Sequence, residues 1–297
     1  MNQHRIRIRR LRLSVVAYTI IGNDPSGADD CETCVLPPFR PESHDMFTTQ
    51  RSALQQFADR LASRSILTEE ERSAVLGLQG PVRDVPAHVD FVQQGEQVDH
   101  SCLVMKGLVV RFGQSSNGER QITCLYIPGD MADLPSVVSP KAAWGLAALT
   151  GTTILHVSHA DLRRLAAQHP GLAEAFWRDC VADGSIFSEW VVNVGRRDAL
   201  ARLSHLFCEM AIRCERAGQG DRNAFALPAT QTDLGNATGL TNVHINRTLR
   251  ELKTRSILTT MSGKVTVHDW DKLVSTGDFN DAFMLLDGPS PRIAEAA

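Results

Sequence analysis

The period of the apolar residues changes along the chain, and each change marks a different kind of element. Over residues 51–78, Leu54, Phe57 and Leu61 recur at helical spacing and predict a helix laid on a core. Thr68-Glu69-Glu70-Glu71 has the form of a capping box and opens a second short helix. From about residue 85 to 158 the apolar runs shorten, and turn signals come roughly every 8–12 residues, the pattern of a small barrel or sandwich. Gly95-Glu96, Lys106-Gly107, Asn117-Gly118 and Pro128-Gly129-Asp130 punctuate the strands expected at Cys102–Met105, Leu108–Phe112, Gln121–Ile127 and Thr153–Val157. Asn117-Gly118 is the strongest hairpin signal, because Gly118 can take the positive φ such a turn requires.

After His169-Pro170 the helical period returns and persists. Leu172, Phe176, Cys180, Phe187, Val191 and Val194 fall near one face, which Trp177 and Trp190 widen. This apolar stretch is longer than a small barrel can cover. It predicts a helix–helix dimer seam carried by Phe176, Cys180, Phe187, Val191 and Val194, with plain packing on the chain's own barrel as the alternative. Gly184 in mid-helix weakens the element slightly. A further helix is expected over Ala199–Ala217, with Leu203, Leu206, Phe207 and Met210 inward and Gly218-Gln219-Gly220-Asp221 as its end.

The last quarter carries the sharpest pattern. Thr230 followed by Asp233 is an N-cap signal, and the helix it opens runs to about Ala237. Gly239 is placed for a tight turn, and Thr241 caps a second helix from Asn242 to about Arg255. Leu234, Leu240, Ile245, Leu249 and Leu252 form the buried set of a helix-turn-helix. Asn242, His244, Asn246, Arg247 and Arg250 lie on the exposed face of the second helix. These side-chain types suit nucleic acid: arginine pairs with guanine and asparagine with adenine through two hydrogen bonds. Ser262-Gly263-Lys264 turns between Ile257–Thr260 and Val265–His268, forming a hairpin wing able to touch phosphate. We assign base readout to Asn242, His244, Asn246 and Arg247. Phosphate contacts fall to Thr230, Gln231, Thr232, Thr241, Arg250 and Lys264. The competing reading of this segment is a helical hairpin that docks on another protein.

Composition sharpens this picture. The chain has 297 residues, enough for about two domains. Its net charge is −3, from 31 basic and 34 acidic residues. Yet residues 241–265 hold Arg247, Arg250, Lys253, Arg255 and Lys264 against Glu251 alone, a basic patch on a near-neutral body. Apolar runs are too short for a membrane helix, and seven cysteines do not suit a disulfide scaffold of this size, so a reducing, cytoplasmic setting is expected. At the N-terminus, Arg5, Arg7, Arg9, Arg10 and Arg12 precede the apolar run Leu13–Ile21, the outline of a secretory signal. The small-x-small cleavage site is missing, and the Pro- and Gly-containing residues 22–45 read as linker. We therefore read residues 1–50 as a tail, or as sequence translated upstream of a start at Met46.

Taken in order, a Gly-punctuated roll, a long helix and a winged helix-turn-helix with Asp233-Leu-Gly-Asn, Gly239-Leu-Thr and Arg247 resemble the Crp/Fnr superfamily of transcription regulators. The resemblance spans about residues 51–275, and Val243-His244-Ile-Asn246-Arg247 with Val267-His-Asp-Trp270 resembles a branch without a defined effector. It implies an α+β fold: a cyclic-nucleotide-binding-like β-roll over 51–165, a dimerisation helix over 166–198 and a winged helix-turn-helix DNA-binding domain over 199–275. Residues 276–297 read as a C-terminal tail. The resemblance also implies a homodimer on a two-fold-symmetric site in double-stranded DNA, with RNA polymerase as a further partner. Arg247 stands at the family's guanine-reading arginine. Val243 stands where many members carry a glutamate; valine accepts no hydrogen bond but can meet a thymine methyl.

The family's cofactors fit this chain poorly. Cyclic-nucleotide members grip phosphate with a Gly-Glu-Leu segment and an Arg-Ser pair. Here Ala132-Asp133-Leu134 and Lys141-Ala142-Ala143-Trp144 occupy those places, without the guanidinium fork or the hydroxyl. Asp133, Lys141 and Trp144 remain the candidates for an effector pocket. An iron–sulfur cluster would have only Cys31-x-x-Cys34 with Cys102 and Cys124. Zinc at Cys31, Cys34 and His44 lacks an evident fourth ligand, and heme would rest on isolated His88, His100 or His156. No cofactor, metal or membrane partner is therefore expected. No nucleophile elbow, P-loop, H-E-x-x-H or G-x-G-x-x-G motif occurs, so a regulator is favoured over an enzyme, and an interaction module of a signalling complex is the remaining alternative.

Overall fold

The computed structural model describes residues 43–292. The N-terminal arginines, Cys31, Cys34 and most of the expected linker lie outside these residues. The chain enters through α1 (Ser43–Ala62) and α2 (Glu69–Leu76). Thr68 closes the anticipated capping box with Glu71. Helix α1 begins inside the stretch read as tail, so the expected boundary at residue 50 is corrected. Leu54, Phe57 and Leu61 are buried, and burying that stripe is what holds the helix on the body.

Eight strands make the roll: β1 (Val82–Val85), β2 (Val89–Val92), β3 (His100–Lys106), β4 (Val109–Gln114), β5 (Arg120–Tyr126), β6 (Met131–Ala132), β7 (Gly145–Ala148) and β8 (Thr152–Ser158). They pair as two antiparallel sheets, ordered β1-β8-β3-β6 and β2-β7-β4-β5. Strand alternation sends Cys102, Val104, Cys124, Tyr126 and Ile154 into the space between the sheets. It sends Leu103, Leu155 and Val157 to the other side, under α1 and α3 (His159–Gln168). The β4–β5 hairpin turns at Asn117-Gly118, where Gly118 has φ +87° as its sequence signal requires.

Helix α4 (Pro170–Arg196) is the long helix anticipated after His169. It is apolar on two sides. Leu172, Ala175, Phe176, Ala182, Ile186 and Trp190 are buried against the chain's own body. Phe176 stacks on Phe57, with ring centroids 6.3 Å apart. Trp177, Val181, Gly184, Ser188, Val191 and Gly195 form an exposed row on the opposite side, at alternating spacings of four and three residues. That spacing is the a/d stripe of a coiled coil. The expected seam is therefore corrected. Phe176 belongs to the core, Cys180, Phe187 and Val194 are half-buried flank, and only Val191 lies in the exposed row.

Helix α5 (Ala199–Arg216) leads to the C-terminal domain. There β9 (Gly220–Asp221), β10 (Ala224–Ala226), β11 (Leu258–Met261) and β12 (Lys264–Val267) form a sheet ordered β11-β12-β10-β9 around α6 (Gln231–Thr238) and α7 (Asn242–Thr254). After α8 (Trp270–Thr276) the chain does not trail off as a tail. It returns as a strap to α1, α2 and α4. Phe279 and Phe283 meet the ring of His205, Arg64 donates to the Met284 carbonyl at 2.9 Å, and Arg292 pairs with Glu71 at 2.6 Å. The expected tail over 276–297 is corrected as far as residue 292.

Candidate DNA interface and effector cavity

The two helices of the C-terminal domain are set by their caps. Thr230 Oγ1 accepts from the Asp233 amide at 3.2 Å, and Asp233 accepts from the Thr230 amide at 2.8 Å, so two otherwise orphaned donors are satisfied. Gly239 ends α6 in the left-handed conformation, with φ +67°. The Cβ position of Gly235 lies 2.5 Å from the Leu240 carbonyl oxygen, so only glycine lets the turn close onto α6. Thr241 then caps α7, whose Ile245, Thr248 and Leu252 are buried.

This seating leaves one face of α7 in solvent. Asn242, Val243, His244, Arg247 and Arg250 are exposed there, and Asn246 is half-buried. Within the motif, the Asn246 amide pairs with the Gln231 amide through bonds of 2.6 and 2.9 Å. Asn242 donates to Thr232 Oγ1 at 3.2 Å, and His244 Nδ1 lies 3.2 Å from Thr241 Oγ1. These contacts hold the short polar side chains in place. The side chains of Arg247, Arg250 and Lys264 make no hydrogen bond or ion pair with the described residues. Val243 is 77% exposed, so a large apolar side chain is held out at the start of the helix. Beside it, β11 and β12 turn through Ser262 (φ +50°) and Gly263 (φ +76°), and Lys264 is exposed just past the tip. Every residue expected to touch DNA thus lies on α6, α7, their caps or the wing hairpin.

The effector candidates divide. A cavity of about 210 Å³ lies between the roll and α4, lined by Arg111, Thr123, Pro135, Trp144, Cys180, Asp183, Gly184 and Phe187. Trp144 is among its walls; Asp133 and Lys141 are not. Asp133 instead occupies a left-handed turn (φ +59°), and burial pushes its carboxyl up to about 6. Sequence reasoning missed Arg111, because its neighbours come from β5 and α4. Its Nε donates to Thr123 Oγ1 at 3.2 Å, and its guanidinium lies 5.8 Å from the centre of the Phe187 ring.

Behind this cavity, roll and reader meet at a buried ion network. Arg60 of α1 donates to Asp130, Asp179 and Asp183 at 2.7–2.8 Å. Arg213 of α5 donates to Asp130 at 2.8 Å, to Glu209 at 3.0 Å and to the Leu125 carbonyl at 2.6 Å. Glu209 also accepts from the indole of Trp190 at 2.6 Å. Burial raises the Asp183 and Glu209 carboxyls, against the pull of Arg60 and Arg213 respectively. Asp130, caught between two arginines, is lowered despite its burial. The network ties α1, α4, α5 and the turn after β5 together.

A β-roll, a long connecting helix and a capped, winged helix-turn-helix with a basic face define a DNA-binding transcription regulator with a cyclic-nucleotide-binding type of sensor domain. Comparison with known proteins agrees: residues 82–169 match the cyclic nucleotide-binding domain family, and residues 201–276 match the Crp-like helix-turn-helix domain family. The chain belongs to the Crp/Fnr superfamily of transcription regulators. It is 24% identical over 181 residues to the regulatory protein HlyX of Actinobacillus pleuropneumoniae, covering 61% of this chain and 75% of that protein. It is 23% identical over 180 residues to the anaerobic regulatory protein of Haemophilus influenzae, covering 61% and 70%. Among solved structures it is similar to FixK2 from Bradyrhizobium japonicum, with a TM-score of 0.61 and 22% identity, covering 67% of this chain and 98% of that one. Among the described residues no helix is long and apolar enough to cross a membrane.

Proposed function

We propose that the protein acts in the cytoplasm as a homodimer on a two-fold-symmetric DNA site. The exposed heptad row of α4 would supply the seam. Trp177, Val181 and Val191 give apolar area, while Gly184, Ser188 and Gly195 let two helices approach closely. Each α7 would enter a major groove. Arg247, free of internal partners, reads guanine, and Asn242, His244 and Asn246 share the remaining base edges. Val243 meets a thymine methyl in place of the glutamate–cytosine contact. Thr230, Gln231, Thr232, Thr241, Arg250 and Lys264 would contact phosphate. RNA polymerase is the further partner that a regulator of this type would engage.

The observation that carries this reading is Arg247, exposed and unpaired among the described residues, on a helix face whose Asn242, His244 and Asn246 are held in place. In the cavity, the outer nitrogens of Arg111 have no hydrogen-bond partner among the described residues, and Trp144 and Phe187 offer flat apolar walls. A small anionic effector with a planar part fits that chemistry. Its binding would shift an existing balance of helix orientations through α4, which joins roll, seam and reader. Selection of the full chain against random duplex DNA tests the proposal. A two-fold-symmetric motif whose half-site preference changes in Arg247→Ala is expected. A folded dimer that selects a motif unaffected by Arg247→Ala overturns the assignment of readout.

A further inference from the structure

Three side chains read from the sequence as a core cysteine and two isolated histidines come together at one end of the roll. His100 and Cys102 lie two residues apart on β3 and so project from the same face of the sheet. His156 of β8 is the direct cross-strand partner of Cys102. The ligand atoms of all three fall within 4.8 Å of one another. The rings of His100 and His156 stack with centroids 3.8 Å apart. Asp99 accepts a 2.8 Å hydrogen bond from His100 Nδ1, which fixes the tautomer that leaves Nε2 as a free lone pair. His100 Nε2, both ring nitrogens of His156 and the sulfur of Cys102 make no hydrogen bond with the described residues. Three ligand atoms, one from each residue, thus stand together with no hydrogen-bond partner among the described residues.

We propose that His100, Cys102 and His156 bind a divalent transition-metal ion of the zinc type. Two imidazoles and a thiolate match the borderline-soft preference of such an ion, and three protein ligands leave a fourth position for water or a small ligand. The Asp99–His100 hydrogen bond is the carboxylate–imidazole support that such sites use to orient a ligand. Stacked rings present their nitrogens side by side, so capture requires one ring to turn about its Cβ–Cγ bond. On binding, the Cys102 thiol gives its proton to solvent and the thiolate takes its place on the ion. The ion would staple β3 to β8 beside the Asp133 turn. This site is separate from the Arg111 cavity and does not depend on the DNA-binding reading.

The test uses the full reduced chain, stripped with a chelator and titrated with Co²⁺ as the spectroscopic stand-in and then Zn²⁺. One Co²⁺ per chain is expected, with a thiolate-to-cobalt charge-transfer band and the intense visible bands of tetrahedral coordination. Cys102→Ser should abolish the charge-transfer band, while Cys124→Ser, in the same roll core, should keep it. Asp99→Asn should weaken affinity by roughly tenfold or more. A second readout covers poor folding of Cys102→Ser: Zn²⁺ should raise the melting temperature of the stripped wild type but not of His100→Gln. Absence of metal uptake overturns the proposal. So does a band that survives in folded Cys102→Ser, or one lost only in the Cys31→Ser/Cys34→Ser double variant.

Discussion

Charged residues do opposite work at the roll–reader junction and on the exposed face of α7. At the junction with the roll, Arg213 is buried and Arg60 half-buried, and their guanidinium groups are held by carboxylates at 2.7–3.0 Å. On α7, Arg247 and Arg250 stand in solvent with no side-chain partner among the described residues. In a low-dielectric interior an arginine has to be matched, and matching fixes the elements that carry its partners. At the surface an unmatched arginine loses little and stays free to meet an incoming base or phosphate. The junction is thus built for one geometry, while the reader is a rigid helix with free ends.

Breaking the junction should have the largest effect. Arg60→Ala leaves Asp130, Asp179 and Asp183 buried around a missing cation, and a loss of about 3–5 kcal/mol is expected in urea denaturation. Acid should come next, through His205. Burial and the neighbouring Arg197 lower its imidazole to about 4, while Glu189 and Asp278 pull the other way. The folded value lies below the ordinary 6.5, so protonation favours the unfolded chain. Stability should be whole above pH about 6.5 and should fall as pH drops towards 4, by about 3 kcal/mol in all. His205→Gln should flatten that part of the stability–pH curve.

Effects at the reader should be smaller, and on the exposed face of α7 and the wing they should fall on recognition instead of folding. Arg247→Ala should cost about 1–3 kcal/mol of discrimination at a single base position, measured by competition between half-site variants. Thr230→Ala removes one side of the capping box and should lower stability by about 1 kcal/mol. Lys264→Ala should leave sequence preference alone and reduce the slope of log affinity against log salt by about one. An Arg247 variant that lost stability but kept its preference would reverse the contrast between the two regions.

The features legible in the sequence were those fixed within a few residues. Thr230, Gly239, Thr241 and Asn117-Gly118 act on backbone groups close by, so the reader and the central hairpin could be placed from spacing alone. The seam could not. Helix α4 is apolar on two sides, and spacing does not say which side the chain's own body covers, so spacing alone puts Phe176 in the seam and Trp177 on its margin. Short strands such as β1 and β7 carry too few residues to show a period. The strap escaped because Phe279, Phe283 and Met284 follow no helical or strand spacing. Arg111 and the His100–Cys102–His156 cluster depend on register between strands far apart in sequence, which no local pattern records.

The four tryptophans also stand at four different working parts. Trp144 borders the cavity beside Arg111, Trp177 projects from the exposed row with 63% of its surface in solvent, and Trp190 is buried with its indole on Glu209. Trp270 lies next to the wing, under the guanidinium of Arg222 at 5.4 Å. Indole emission shifts to the blue as its surroundings dry and is quenched by close contact with many ligands. Single-tryptophan versions of this chain would therefore carry built-in optical reporters: Trp177 for subunit pairing, Trp144 for occupancy of the cavity, Trp190 for strain at the junction and Trp270 for the approach of DNA.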